Sequence, residues 1–120
     1  MKIFSKDLPS ARQGDVYIIR AKAIPDGVRQ AVPVDGKYIV AHSETGHHHV
    51  IEATPNVKYF TTDNPIVSYL QVIEATEKSE AILEHLRNFD THDSIVLTDD
   101  IYCLVNGRES APEGWVRAAD

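Results

Sequence analysis

The residues with the most chemical potential lie in one stretch. Residues 37–52 (KYIVAHSETGHHHVIE) hold four of the six histidines in the chain. This stretch reads as two strands joined by a tight loop ending at Gly46, where glycine supplies the left-handed residue that closes a short hairpin. Side chains alternate along a strand, so His47 and His49 share one face and His48 takes the other. Two imidazoles at i and i+2 suit a metal ion, because both nitrogens can converge on it as neutral ligands. His92 and His85 are the candidates for a third ligand, with Asp90 or Asp93 as an oxygen donor or a partner that orients an imidazole. Glu52 completes a His-x-His-x-x-Glu string, but its parity sets it opposite His47 and His49 unless a bulge intervenes.

The hairpin register decides where His42 goes. With a loop of Ser43 to Gly46, His42 pairs with His47, Val40 with His49 and Tyr38 with Ile51, and three imidazoles share a face. With a loop of Glu44 to Gly46, His42 pairs with His48 and leaves that face. Both registers are open at this level. Adjacent imidazoles also repel once protonated, so this face is expected to loosen at about pH 6. The plainer alternative is that these are polar residues of an exposed hairpin.

The elements around the hairpin are those of a β protein. The chain has 12 Val and 11 Ile against 6 Leu, plus 7 Thr and 5 Tyr. Residues branched at Cβ lose freedom in a helix and pack well on a pleated surface. Turn signals recur at Pro25-Asp26-Gly27, Asp35-Gly36, Pro55-Asn56, Asp63-Asn64-Pro65, Asp99-Asp100, Asn106-Gly107 and Pro112-Glu113-Gly114. Between the turns, residues 15–23, 37–42, 47–53, 57–60, 67–74, 94–97 and 101–105 read as strands. About seven short antiparallel strands with at most one short helix make an all-β sandwich or small barrel, a jelly-roll or cupin-like arrangement among them. The spacing of Ile82, Leu83 and Leu86 favours that helix over 76–88, although 81–85 also fits a strand.

With 120 residues, one domain spanning 1–120 is expected. A net charge of −6 with no basic cluster weighs against nucleic acid as a partner. No apolar run is long enough to span a membrane, and residues 1–7 lack the apolar core of a secretion signal. Cys103 is the only cysteine, so no internal disulfide is expected, and its neighbours Ile101 and Val105 suggest a buried small hydrophobe. Asp63, Asp99 and Asp100 read as solvated turn carboxylates, and Trp115 as a residue that pins the tail to the core. No phosphate loop, dinucleotide fingerprint or nucleophile elbow is present, which leans away from an enzyme.

Three motifs carry a resemblance. Gln13-Gly14-Asp15-Val16, Thr45-Gly46-His47-His48-His49-Val50-Ile51 and the tail from Pro112 to Asp120 resemble an uncharacterised family of small β-rich bacterial and phage or prophage proteins. Its pattern, Thr-Gly-His-x-His-x-Ile followed by a His-rich turn and a Val-Tyr strand, falls on Thr45, Gly46, His47, His49 and Ile51, then on His85 and His92, then on Ile101-Tyr102. Here the two turn histidines are separated by residues 86–91, so the resemblance favours His92 over His85. It also implies that 81–85 is extended, against the helical spacing. A fainter similarity to cupins rests on His-x-His followed by Glu, with a shorter spacing to Glu52 and no second cupin motif.

Two functional expectations follow. One is a non-enzymatic phage- or prophage-type accessory or assembly protein, cytoplasmic or virion-associated, homo-oligomeric and partnered by other phage proteins. The other is a cupin-like metalloprotein, an enzyme or not, holding one divalent ion (Zn, Fe, Ni or Mn) through His47, His49 and His92, with His42, His85, Asp93 and Glu52 as further donors.

Overall fold

In the computed structural model, residues 2–41, 48–76, 78–85 and 94–107 are described. They form eleven strands and no helix, arranged as two sheets. One sheet holds β1 (Lys2–Phe4), β10 (Ile95–Leu97), β9 (Ala81–His85), β6 (His49–Glu52) and β5 (Lys37–Ala41), in that order. The other runs β2 (Ser10–Gln13), β3 (Val16–Ala21), β11 (Asp100–Asn106), β8 (Val67–Val72), β7 (Val57–Thr61) and β4 (Arg29–Gln30). The pairs β5–β6, β7–β8 and β9–β10 are antiparallel neighbours that alternate between the two sheets. The result is an all-β sandwich.

Alternation explains the core. In β8, Ser68, Leu70 and Val72 are buried while Val67, Tyr69 and Gln71 are half-exposed, the signature of a strand with one face inward. Ile18, Leu70, Tyr102 and Leu104 from the six-stranded sheet meet Phe4, Ile51, Leu83 and Leu97 from the other. Each of these eight is almost fully removed from water, which stabilises the fold by roughly 1.5–3 kcal/mol per side chain. Burial also pushes the phenols of Tyr59 and Tyr102 above their ordinary value of 10.0. The unfolded chain releases those protons first, so their contribution is complete below about pH 10 and is lost as pH rises through the folded-state values. Denaturant midpoints are therefore expected to hold up to that point and drop beyond it, with late phenolate absorbance. Five tyrosines titrating together with no loss of stability would contradict this.

All seven expected strand regions are strands, and four more join them. β2 is polar, β4 has two residues and β1 three, so none carries an apolar period long enough to read. β1 also pairs with β10 in parallel, where only antiparallel pairing was expected. The fourth, β9, is extended as the resemblance implied, and it corrects only the helix that the spacing alone favoured over 76–88. Ala81–His85 is hydrogen-bonded to β6 on one side and β10 on the other, and two long-range ladders outweigh a short helical spacing. Residues 77 and 86–88 of that segment lie outside the described residues.

Cys103 is a second correction. It does lie on the Ile101 and Val105 face, but that face is the outward one, and Tyr102 and Leu104 fill the core. The thiol is half-buried beside Tyr69, and desolvation pushes its pKa up, which keeps it protonated. Nor are the turn aspartates simply solvated. Asp99 accepts from the Glu74 and Ala75 amides at 2.9 Å each, and Asp100 pairs with Arg20 at 2.6 Å. Asp63, beside Arg29, is largely exposed, and Asp99 is exposed as well. Trp115 and the rest of 108–120 lie outside the described residues.

Candidate functional site

His49 and His85 are directly opposed across β6 and β9. Parity sets both toward the space between the sheets, because His49 follows the alternation of Ile51, and His85 that of Ala81 and Leu83. Their rings stack, with centroids 4.0 Å apart and planes within 15°. His49 is buried. The pair closes one end of the core, where β6 begins and β9 ends.

The other sheet reaches across to them. Gln13, at the end of β2, is almost wholly buried and donates from its amide nitrogen to the Leu83 carbonyl at 2.9 Å. A backbone carbonyl only accepts, so this bond turns the Gln13 oxygen toward His49, 2.7 Å from Nδ1. Nδ1 must then carry the proton, and the neutral ring has its lone pair on Nε2. The next residue, Gly14, has φ +57° and turns β2 into β3. A Cβ placed there would lie 3.3 Å from Cε1 of both His49 and His85, so glycine meets the backbone requirement and leaves room for the stacked rings.

The hairpin adopts parts of both open registers. Lys37, Tyr38 and Ile39 face Glu52, Ile51 and Val50, as the longer loop requires. A bulge near Val40 then shifts the ladder by one, and Ala41 faces His49 as the shorter loop requires. The carbonyl of Val40 accepts from the Tyr59 hydroxyl of the opposite sheet at 3.4 Å. Glu52 is exposed and sits opposite Lys37, on the strand face away from His49, as its parity required. His48 is half-buried just before β6.

His42, His47, His92, Asp90 and Asp93 lie outside the described residues. Among the described residues, no group of three or more His, Cys, Asp or Glu side chains is placed to hold a metal ion. Of the expected donors, the structure brings His49 and His85 together and leaves Glu52 apart. The preference for His92 over His85 came from chain spacing, yet His85 is the direct neighbour of His49. The extended reading of 81–85 already puts Ala81, Leu83 and His85 on one face, and burial of Ala81 and Leu83 makes it the core face. Gln13 and Gly14 entered only through the resemblance, and their role depends on a cross-sheet contact that no local pattern encodes.

The fold and this site define a two-sheet β-sandwich whose core ends in a stacked histidine pair, His49 buried and His85 half-buried, with His49 held by a glutamine from the opposite sheet. The chain belongs to the family described as Domain of unknown function (DUF8820), whose model matches residues 12–106. That span includes Gln13, Gly14, His49 and His85. No curated protein and no solved structure matches the chain significantly. Among the described residues, no helix is long and apolar enough to cross a membrane.

Proposed function

We propose that this is a non-enzymatic accessory or assembly protein of phage or prophage type, at work in the cytoplasm or in the virion, and that it acts by docking onto a second copy of itself. One observation carries this reading: the outward face of the six-stranded sheet is apolar and has no carboxylate. The registers place Ile19, Cys103, Tyr69 and Phe60 in one row across β3, β11, β8 and β7, with Tyr17, Val105 and Val67 in the next. Ile19 is 45% exposed. The rim is polar: Ser10 and Arg12 on β2, Gln30 on β4, Lys58 on β7 and Gln71 on β8. An apolar centre inside a polar rim is the anatomy of a protein interface.

Charge argues for a second copy as the occupant. Each chain carries −6, so two copies repel over most of their surfaces. On this face the only charged strand residues directed outward are Arg12 and Lys58, so repulsion between acidic surfaces is least here. Area sets the strength. Strands about 4.8 Å apart and about 3.3 Å per residue give the apolar centre roughly 300 Å² in plan and the whole face roughly 550 Å². That is at the low end for a specific dimer, which favours reversible association at about micromolar concentration.

Size-exclusion chromatography with light scattering on the full chain tests this. Over about 1–200 μM, the mass is expected to move from 13.4 kDa toward twice that value. Ile19→Asp puts a charge at the centre of the face and is expected to stay monomeric throughout. A wild-type chain that remains monomeric at the top of that range overturns the reading.

A further inference from the structure

We infer that the outer face of the five-stranded sheet is an interaction surface for the chain's own residues 108–120, seated there through Trp115, and that this cap keeps the face from associating with other copies. Burial occurs here where alternation predicts exposure. Parity sends Ile3, Val96 and Ile82 away from the core in one row, and Glu84, Val50 and Ile39 in the next. Val50 is nevertheless only 4% exposed and Val96 9%, and neither belongs to the core cluster. His49, Val50 and Ile51 are all buried in β6, as are Ile95, Val96 and Leu97 in β10. The other sheet provides the control. Its strands β11 and β8 also have a neighbour on each side, yet Cys103, Val105, Val67 and Tyr69 on their outward face are all half-exposed. Strands buried on both faces need a layer on each side. Among the described residues every strand belongs to one of the two sheets, so the layer over this face comes from chain outside the strands.

Residues 108–120 suit it by starting point, reach and composition. The Gly107 amide donates to the Asp15 carbonyl at 2.8 Å, next to Gly14, whose Cβ position lies 3.3 Å from the His85 ring. The segment therefore starts at the end of the sandwich where Glu84 and Val50 face one another. Trp115 follows Gly107 by eight residues, roughly 26 Å when extended, against about 15 Å from one sheet to the far side of the other. Trp115 and Val116 supply apolar bulk, and Arg117 a cation for the Glu84 carboxylate. Residues 42–47 hold no large aliphatic or aromatic hydrocarbon side chain, and 86–93 must spend their length joining β9 to β10. The cap bears on assembly. A sandwich with two open apolar faces stacks without closing, whereas a single open face gives a closed pair.

Trp115 is the only tryptophan, so its fluorescence reads the cap in the full chain. At about 1 μM, below the range in which the docking face associates, the wild-type indole is expected to emit to the blue of free tryptophan. Acrylamide is expected to quench it several-fold more slowly than the free amino acid. Ile82→Lys, at the centre of the capped face, is expected to bring both properties to those of a free indole while circular dichroism still reports strand. Ile19→Asp, on the other sheet, leaves both unchanged. At about 200 μM, Trp115→Ala is expected to show a larger mass than wild type by light scattering. A free indole in the wild-type chain overturns the proposal and assigns the cover to 86–93. A folded Ile82→Lys chain that keeps its indole protected, or a Trp115→Ala mass equal to wild type, also overturns it. Where Ile82→Lys fails to fold, nuclear Overhauser contacts decide: from the wild-type indole to the Val50 or Val96 methyls they support the cap, and to other methyls alone they overturn it. The indole is read in single copies, so a failed cap and a failed docking face are distinguishable.

Discussion

Replacing Arg20 with alanine is expected to lower stability by about 3–4 kcal/mol, the cost of breaking a partly buried ion pair and stranding its partners. Arg20 extends from β3 toward the other sheet and gathers the start of the chain around its guanidinium. It pairs with Asp100 at 2.6 Å, donates to the carbonyls of Leu8, Phe4 and Ser5, and stacks over the Phe4 ring at 4.4 Å. Phe4 is fully buried and meets Tyr102 edge-on, so one cation links the N-terminal strand, the core and β11. Alanine removes every one of these contacts and leaves Asp100, the first residue of β11, without its cation. In a domain of this size the melting temperature is expected to fall by roughly 10–15 °C. Arg20→Lys retains a charge but loses the planar fork, and is expected to recover less than half of the difference. A melting temperature within about 3 °C of wild type for Arg20→Ala would refute this account.

Gln13→Leu is expected to cost about 2–3 kcal/mol although it adds apolar volume of similar size. The substitution strips a partner from two buried polar groups at once, the Leu83 carbonyl and His49 Nδ1. Because Gln13 lies in one sheet and both groups lie in the other, the loss falls on the contact between the sheets. A double-mutant cycle with His49→Leu isolates the effect. Once the imidazole is gone, Gln13→Leu strands only the carbonyl, so its cost is expected to drop by about 1 kcal/mol or more. Strict additivity of the two substitutions in denaturant melts would show that Gln13 and His49 are not energetically coupled.

How much of this was legible in the sequence varies from residue to residue. The seven strand segments stand out because alternation and β-branching are local properties, and a half-buried strand such as β8 must show them. Ser10–Gln13 shows neither, since an edge strand with polar residues is held by its partner β3 rather than by its own pattern. Ala81–His85 is ambiguous locally, and the ladders from β6 and β10 decide it. The site follows the same division. His49 and His85 stood out as candidates by residue type and spacing, whereas their stacking and the bond from Gln13 did not.

Composition and alternation by themselves determined an all-β domain, sandwich or small barrel, with a histidine-rich hairpin, because apolar periodicity and turn chemistry act over a few residues. Only the tertiary structure decided which sheet face is buried at Cys103, that the hairpin bulges near Val40, and that His49 stacks on His85 under Gln13. The first and last of these depend on partners far away in the chain, 36 residues in the case of Gln13 and His49. Such contacts form only when the two sheets close on one another, and closure is a property of the whole sequence rather than of any segment.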